Sequence, residues 1–265
     1  MISVVSIFLA LGAVVGILAG LLGIGGGLVI VPILVYLLPG QGAAPSQVMH
    51  LALGTSLGSI IFTAVSSALA HHRRGAVNWP LVLRISAGIV VGTFSGACLA
   101  SFLNTRILKL IFVVFLYYVG IQMLSGRKPK ATRTLPGPVG TTAVGMGIGA
   151  LSSLVGIGGG TMSVTFFLWC NMSIHQAIGT SAAIGFPIAV AGAAGYLWRG
   201  LAASGLPPYA AGYLYLPALL GIGCASILTA PLGARLAHRL PVTQLKKIFA
   251  TLILLVATKM LVDVF

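Results

Sequence analysis

The chain has 265 residues, 58% of them hydrophobic and only 6% charged, with fifteen Lys and Arg set against one acid, Asp263. A soluble domain carries about 25% charged residues, so this composition cannot cover a water-facing surface; the recurring long apolar runs predict a polytopic helical membrane protein. With Asp263 lying at the end of the last apolar segment, a carboxylate relay for protons or sodium through the membrane is not expected, nor a cation channel ringed by acids.

In chain order, the apolar pattern predicts helical segments over residues 3–22, 28–38, 48–71, 79–102, 105–125, 138–156, 160–170, 174–198, 212–238 and 243–264. The first has no basic residue ahead of its apolar body and reads as a membrane helix rather than a cleaved leader. Eight segments are long enough to span. Residues 28–38 and 160–170 are half-length, eleven residues each, or roughly 16 Å against a hydrocarbon core of about 30 Å. Each follows a glycine loop, Gly23-Ile24-Gly25-Gly26-Gly27 or Gly156-Ile157-Gly158-Gly159-Gly160. Glycine inside a helix costs about 1 kcal/mol relative to alanine, so both loops read as helix breaks. The rows Gly12, Gly16, Gly20 and Gly88, Gly92, Gly96 instead have the four-residue spacing of helix packing. Residues 145–150, GMGIGA, imitate a dinucleotide loop but follow no strand. Cys98, Cys170 and Cys224 have no metal-ligand spacing and read as buried small hydrophobes, so neither metal nor cofactor is expected. His71, His72, Arg73 and Arg74 form a basic turn that reads as a topology anchor.

The two halves match. Gly23–Gly27 pairs with Gly156–Gly160 at an offset of 133, HLALGTS (His50–Ser56) with HQAIGTS (His175–Ser181) at 125, and Gly75 and Pro80 with Gly212 and Pro217 at 137. Residues 1–125 form a first membrane repeat, 126–137 a basic cytoplasmic linker, and 138–265 a second membrane repeat. Five segments per repeat make the second enter the membrane from the opposite face. Loop charge supports this: eleven basic residues fall on one face and four on the other, which by the positive-inside rule puts both termini outside. The expected fold is an all-α polytopic membrane protein of two inverted repeats, each with four long helices and one half-helix. The basic residues being accounted for as anchors, no nucleic-acid partner is expected.

Paired glycine breaks before half-helices point to a binding site near the bilayer midplane of a secondary transporter. Lipid leaves broken backbone unsatisfied, so it must be buried or line a cavity; a helix start presents free N–H groups and a positive dipole end, which suit an anion. Candidate substrate contacts are Gly25, Gly26, Gly27, Gly158, Gly159, Gly160 and Thr161, with hydroxyls from Thr55, Ser56, Thr180 and Ser181. His50 and His175, one turn before those hydroxyl pairs, are candidates for anion contact or proton transfer. An enzyme reading has no support: six positions separate His50 from Ser56, and no nucleophile elbow or metal cluster is present.

The loop GLLGIGGGLVIVPIL and its copy in the second half, HLALGTS, HQAIGTS, and residues 212–240 near the end together resemble the TauE/SafE family of sulfite and organosulfonate exporters. That resemblance implies an inner-membrane permease for a small sulfur-containing oxyanion, often moved outward; the inverted repeats are expected to rock about the loops to give alternating access. The residues themselves leave open an anion channel, or an uptake permease for another small oxyanion.

Overall fold

The computed structural model describes residues 2–22, 26–126, 133–236 and 242–264. Its helices are α1 (Ile2–Leu22), α2 (Gly27–Leu37), α3 (Val48–His72), α4 (Trp79–Ala100), α5 (Thr105–Ser125), α6 (Pro138–Val155), α7 (Gly160–Trp169), α8 (Ile174–Gly200), α9 (Leu216–Leu236) and α10 (Val242–Val262), with a short ladder of β1 (Ala210–Ala211) and β2 (Leu214–Tyr215) before α9. Local chemistry sets several starts. Asn78 accepts the Leu81 amide at 3.2 Å, with Pro80 in the first turn of α4, and Asn104 accepts the Ile107 amide at 2.8 Å to open α5; both are side-chain N-caps. The ninth helix begins at Leu216, not at 212. Gly212 takes a φ of +53°, a left-handed turn that closes the antiparallel ladder of Ala210 with Tyr215 and Ala211 with Leu214.

Among the described residues six helices are long and apolar enough to cross a bilayer: α3, α4, α5, α6, α8 and α9 as far as Gly233. Eight were expected. α1 is a shorter apolar helix over its described side chains, Val5–Leu21, and α10 carries Lys247 and Lys259. Large apolar side chains such as Leu83, Val114, Leu228 and Ile248 face outward, as suits a surface solvated by acyl chains rather than water. Of the cysteines only Cys170 is buried; Cys98 is half-buried and Cys224 exposed, so the expectation of three buried thiols fails where α9 turns its outer face away from the bundle.

α3 and α8 form the centre, packed antiparallel: Gly54 meets Tyr196, Leu57 meets Gly192 and Ala64 meets Gly185. Around them α1 runs parallel to α9, with Gly12 on the Ile222 backbone and Gly16 on Ser226 and Thr229. α4 runs parallel to α6, with Gly88 on Thr142, Gly92 on Met146 and Gly96 on Ala150. The glycine rows are therefore packing surfaces, as their spacing suggested. α5 and α10 are antiparallel, joined by Gly120 against Leu254 and by the Tyr117 and Thr258 hydroxyls at 2.8 Å.

Corresponding positions of the two halves make corresponding contacts. Thr55 Oγ1 accepts the Tyr215 amide at 2.9 Å, and Thr180 Oγ1 accepts the Asn78 amide at 3.1 Å. Gly54 packs on the Tyr213 carbonyl, and Gly179 on that of Ala76. In each case the threonine or glycine partners differ by 125 positions and the residues they touch by 137. Each half thus holds the start of a long helix from the other.

Asp263 accepts the Tyr36 hydroxyl at 2.7 Å; its backbone carbonyl accepts Lys109 Nζ at 3.2 Å, and the Lys259 ammonium lies 4.6 Å from the centre of the Tyr36 ring. The sole acid thereby ties the end of α2 to α5 and α10.

Gly92→Val places a branched side chain against the Met146 backbone. Overpacking costs about 1–3 kcal/mol, so this variant is expected to show a lower thermal midpoint in detergent, whereas Gly147→Val, at a position open to its surroundings, keeps the wild-type midpoint. Thr55→Val strands the buried Tyr215 amide, a loss of about 1–3 kcal/mol; Thr55→Ser is expected to restore the midpoint.

Candidate functional site

Gly26 (φ 79°) and Gly159 (φ 71°) are the N-cap residues of α2 and α7, both in the left-handed region and 133 positions apart. Only glycine adopts this conformation without strain, and each converts an arriving chain into the first turn of a short helix, eleven residues in α2 and ten in α7. Gly25 lies outside the described residues. The two loops touch: Gly27 packs on the Gly156 carbonyl and the Ile157 backbone, where a side chain would not fit.

Serine hydroxyls tie the second loop and the first turn of α7 to their neighbours. Ser56 Oγ donates to the Gly156 carbonyl at 2.7 Å. Ser163 Oγ donates to the Gly159 carbonyl at 2.8 Å, Ser181 Oγ to that of Gly160 at 3.2 Å, and the two serine oxygens are 2.7 Å apart. Thr161 Oγ1 is buried with no hydrogen-bond partner, in the first turn of α7, where backbone amides also lack intrahelical acceptors.

Beside this cluster lies a small cavity of about 10 Å³, room for about one water. Its polar lining is Thr63 and Ser67 of α3 and Ser181 of α8, with Gly158 of the second loop and Gly185 opposite; Ala19 of α1 closes it. No lining residue is charged. The cavity reaches from the middle of α3, at Ile60, toward that helix's C-terminal end. The space is smaller than a sulfur oxyanion.

The expected contacts separate into two groups. Gly158 and Ser181 line the cavity; Gly26, Gly27, Gly159, Gly160 and Thr161 build the loops beside it. Thr55, Ser56 and Thr180 are fully buried, their hydroxyls engaged by backbone groups, and do not line the cavity. His50 and His175 are not brought to it either. His50 Nε2 donates to the Ala100 and Leu103 carbonyls at 3.2 and 3.0 Å, and its ring stacks on Tyr213 with centroids 5.0 Å apart. It borders instead a cleft of about 410 Å³ at the α4–α5 turn, with Gln47, Asn104 and Arg106. His175 is exposed in the first turn of α8.

Thr63, Ser67 and Ser163 were not among the expected contacts. A signal for the first two was present: Thr55, Ser59, Thr63 and Ser67 recur every fourth residue and so share one helix face.

The sequence model described as "Sulfite exporter TauE/SafE" matches residues 8–260. A "probable membrane transporter protein" of Haemophilus influenzae is 40% identical over 253 residues, covering 95% of this chain and 96% of its own. Its namesake YdhB of Bacillus subtilis is 29% identical over 89% of this chain and 92% of its own length, and a third of that description, from Methanocaldococcus jannaschii, is 25% identical over 93% and 91%. No solved structure matches. A bundle of long apolar helices interrupted by paired glycine breaks, matched by this model across nearly its whole length, is an integral membrane protein of the TauE/SafE family of transporters.

Proposed function

We propose that the protein exports a small sulfur-containing oxyanion, sulfite or an organosulfonate, by alternating access around the two glycine loops. The observation that carries this reading is the meeting of two half-helix starts, both capped by left-handed glycine, beside a cavity lined by hydroxyls and free of charge. Oriented amides and hydroxyls replace part of an oxyanion's hydration, and a helix N-terminus favours negative charge. A site without lysine or arginine also holds the anion weakly enough to release it. Thr161 Oγ1 and Ser67 Oγ, both buried and unpartnered, are donors available to it.

The inverted-repeat reading is supported by the corresponding contacts of Thr55 and Thr180, by the antiparallel packing of α3 on α8 and of α5 on α10, and by the parallel pairs α1–α9 and α4–α6. In this reading residues 1–125 and 138–265 are the repeats, eight long helices span, α2 and α7 are the half-helices, and both termini face the outside of a bacterial inner membrane. Driving force follows from charge alone. One charge crossing 100 mV is worth about 2.3 kcal/mol, so an anion leaves a negative cytoplasm downhill without a coupled ion. A cavity this small favours alternating access over an open anion channel.

The test is flux from proteoliposomes. Sulfite and methanesulfonate movement is expected to saturate with concentration and follow an imposed voltage; absence of flux for every sulfur oxyanion overturns the assignment. Ser181→Val removes a cavity hydroxyl and is expected to lower flux at least tenfold with an unchanged size-exclusion profile. His175→Gln, remote from the cavity, is expected to keep voltage-driven flux within twofold of wild type, a result that a histidine proton relay would not give.

A further inference from the structure

On α3 the hydroxyl series continues into a histidine. Thr55, Ser59, Thr63, Ser67 and His71 stand four residues apart and are 0, 0, 0, 3 and 2% exposed. A hydroxyl on a membrane helix ordinarily bonds the carbonyl one turn back. Ser59 does so, to Thr55 at 2.8 Å, and Thr63 reaches the Ser59 carbonyl at 3.3 Å and Ser226 of α9 at 2.8 Å. Ser67 does not: its Oγ is buried without a partner and borders the cavity. Below it, the helix ends at His71 and His72, and the turn beyond presents Arg73 and Arg74 to the surface.

The second half has no such file. The positions 125 further on are Thr180, Ile184, Ile188, Gly192 and Tyr196, so beyond its threonine the corresponding face of α8 offers a hydroxyl only at Tyr196, and that one donates to the Ser153 carbonyl at 3.0 Å. The duplicated packing contacts are kept in both halves while the hydroxyl file is kept in one. The packing contacts that the two halves share therefore do not include the file, although Thr63 also bonds Ser226 of α9.

We propose that Thr63, Ser67 and His71 line the cytoplasmic half of the translocation path, with Arg73 and Arg74 gathering the anion at its mouth. This rests on the transport reading above. An unpaired hydroxyl one turn above a buried histidine, and two turns above an arginine pair, offers successive donors to an oxyanion shedding water. The basic turn raises local anion concentration by its field. The His71–Arg74 turn, read from sequence as a topology anchor, becomes an entrance as well.

The test uses the full-length protein in proteoliposomes, with Cys98, Cys170 and Cys224 replaced by alanine and one new thiol from Ser67→Cys. A membrane-impermeant anionic methanethiosulfonate reagent is added to either side, with methanesulfonate as the protecting anion. Modification is expected only from the side that carries Arg73 and Arg74, and at least fivefold slower with methanesulfonate present. Ser66→Cys, whose native hydroxyl bonds the Ile227 carbonyl on the exposed side of the helix, is expected to show no protection. Modification of Ser67→Cys from the opposite side alone, or none in protein that still carries flux, overturns the path. If wild type moves no sulfur oxyanion but Ser67→Cys still reacts only from the arginine side, the substrate assignment fails and the path stands. Should Ser67→Cys not assemble, Thr63→Cys carries the same expectation.

Discussion

Everything near the cavity depends on one contact, Gly27 lying on the carbonyl of Gly156. Two helices are broken at the same place, and lipid offers nothing to the carbonyls and amides so released. The breaks are tolerable because the loops are buried against each other and Ser56 of α3 satisfies the Gly156 carbonyl, while the Gly159 carbonyl takes both the amide and the hydroxyl of Ser163 and Ser181 adds a bond to that of Gly160. A methyl group on Gly27 would separate the loops and uncover those groups. The glycines serve two needs, backbone conformation at Gly26 and Gly159 and close approach at Gly27.

With those carbonyls capped, what is left over at the site is donor-rich and uncharged. Hydroxyls at Ser67 and Thr161 have no partner, and amides in the first turn of a helix have no acceptor of their own. An oxyanion would find donors from two helix starts and two further helices. The chain's single carboxylate is occupied by Tyr36, far along α2 from its glycine start. The chemistry of the family to which the chain belongs is consistent with this distribution of donors and acceptors.

Much of the fold was legible because membrane helices announce themselves by length and by glycine punctuation. The half-helices fell within a residue or two of their expected bounds, and the glycine rows packed as their spacing implied. The start of α9 was misplaced because Gly212 closes a ladder that apolar composition hides. The site was less legible. Whether a buried hydroxyl faces a ligand or a backbone amide depends on neighbours far away in sequence, such as Tyr215 for Thr55. His50 and His175 are alike in sequence yet differ in surroundings: the α4–α5 turn takes the ring of the one, and the other is exposed at the start of α8. The serial hydroxyls of α3 were visible at four-residue spacing but outranked by the repeated Thr-Ser pair.

The pairing of α1 with α9 and of α4 with α6 has a mechanical corollary. These helices meet backbone to backbone through glycine, at distances that leave no slack for sliding. Helices joined so closely travel together. Any rocking motion must then be carried by bodies composed of pieces from both ends of the chain, not by one half swinging against the other. Each such pair takes one helix from either half of the chain, so two fragments made separately would have to find one another before either pair could form.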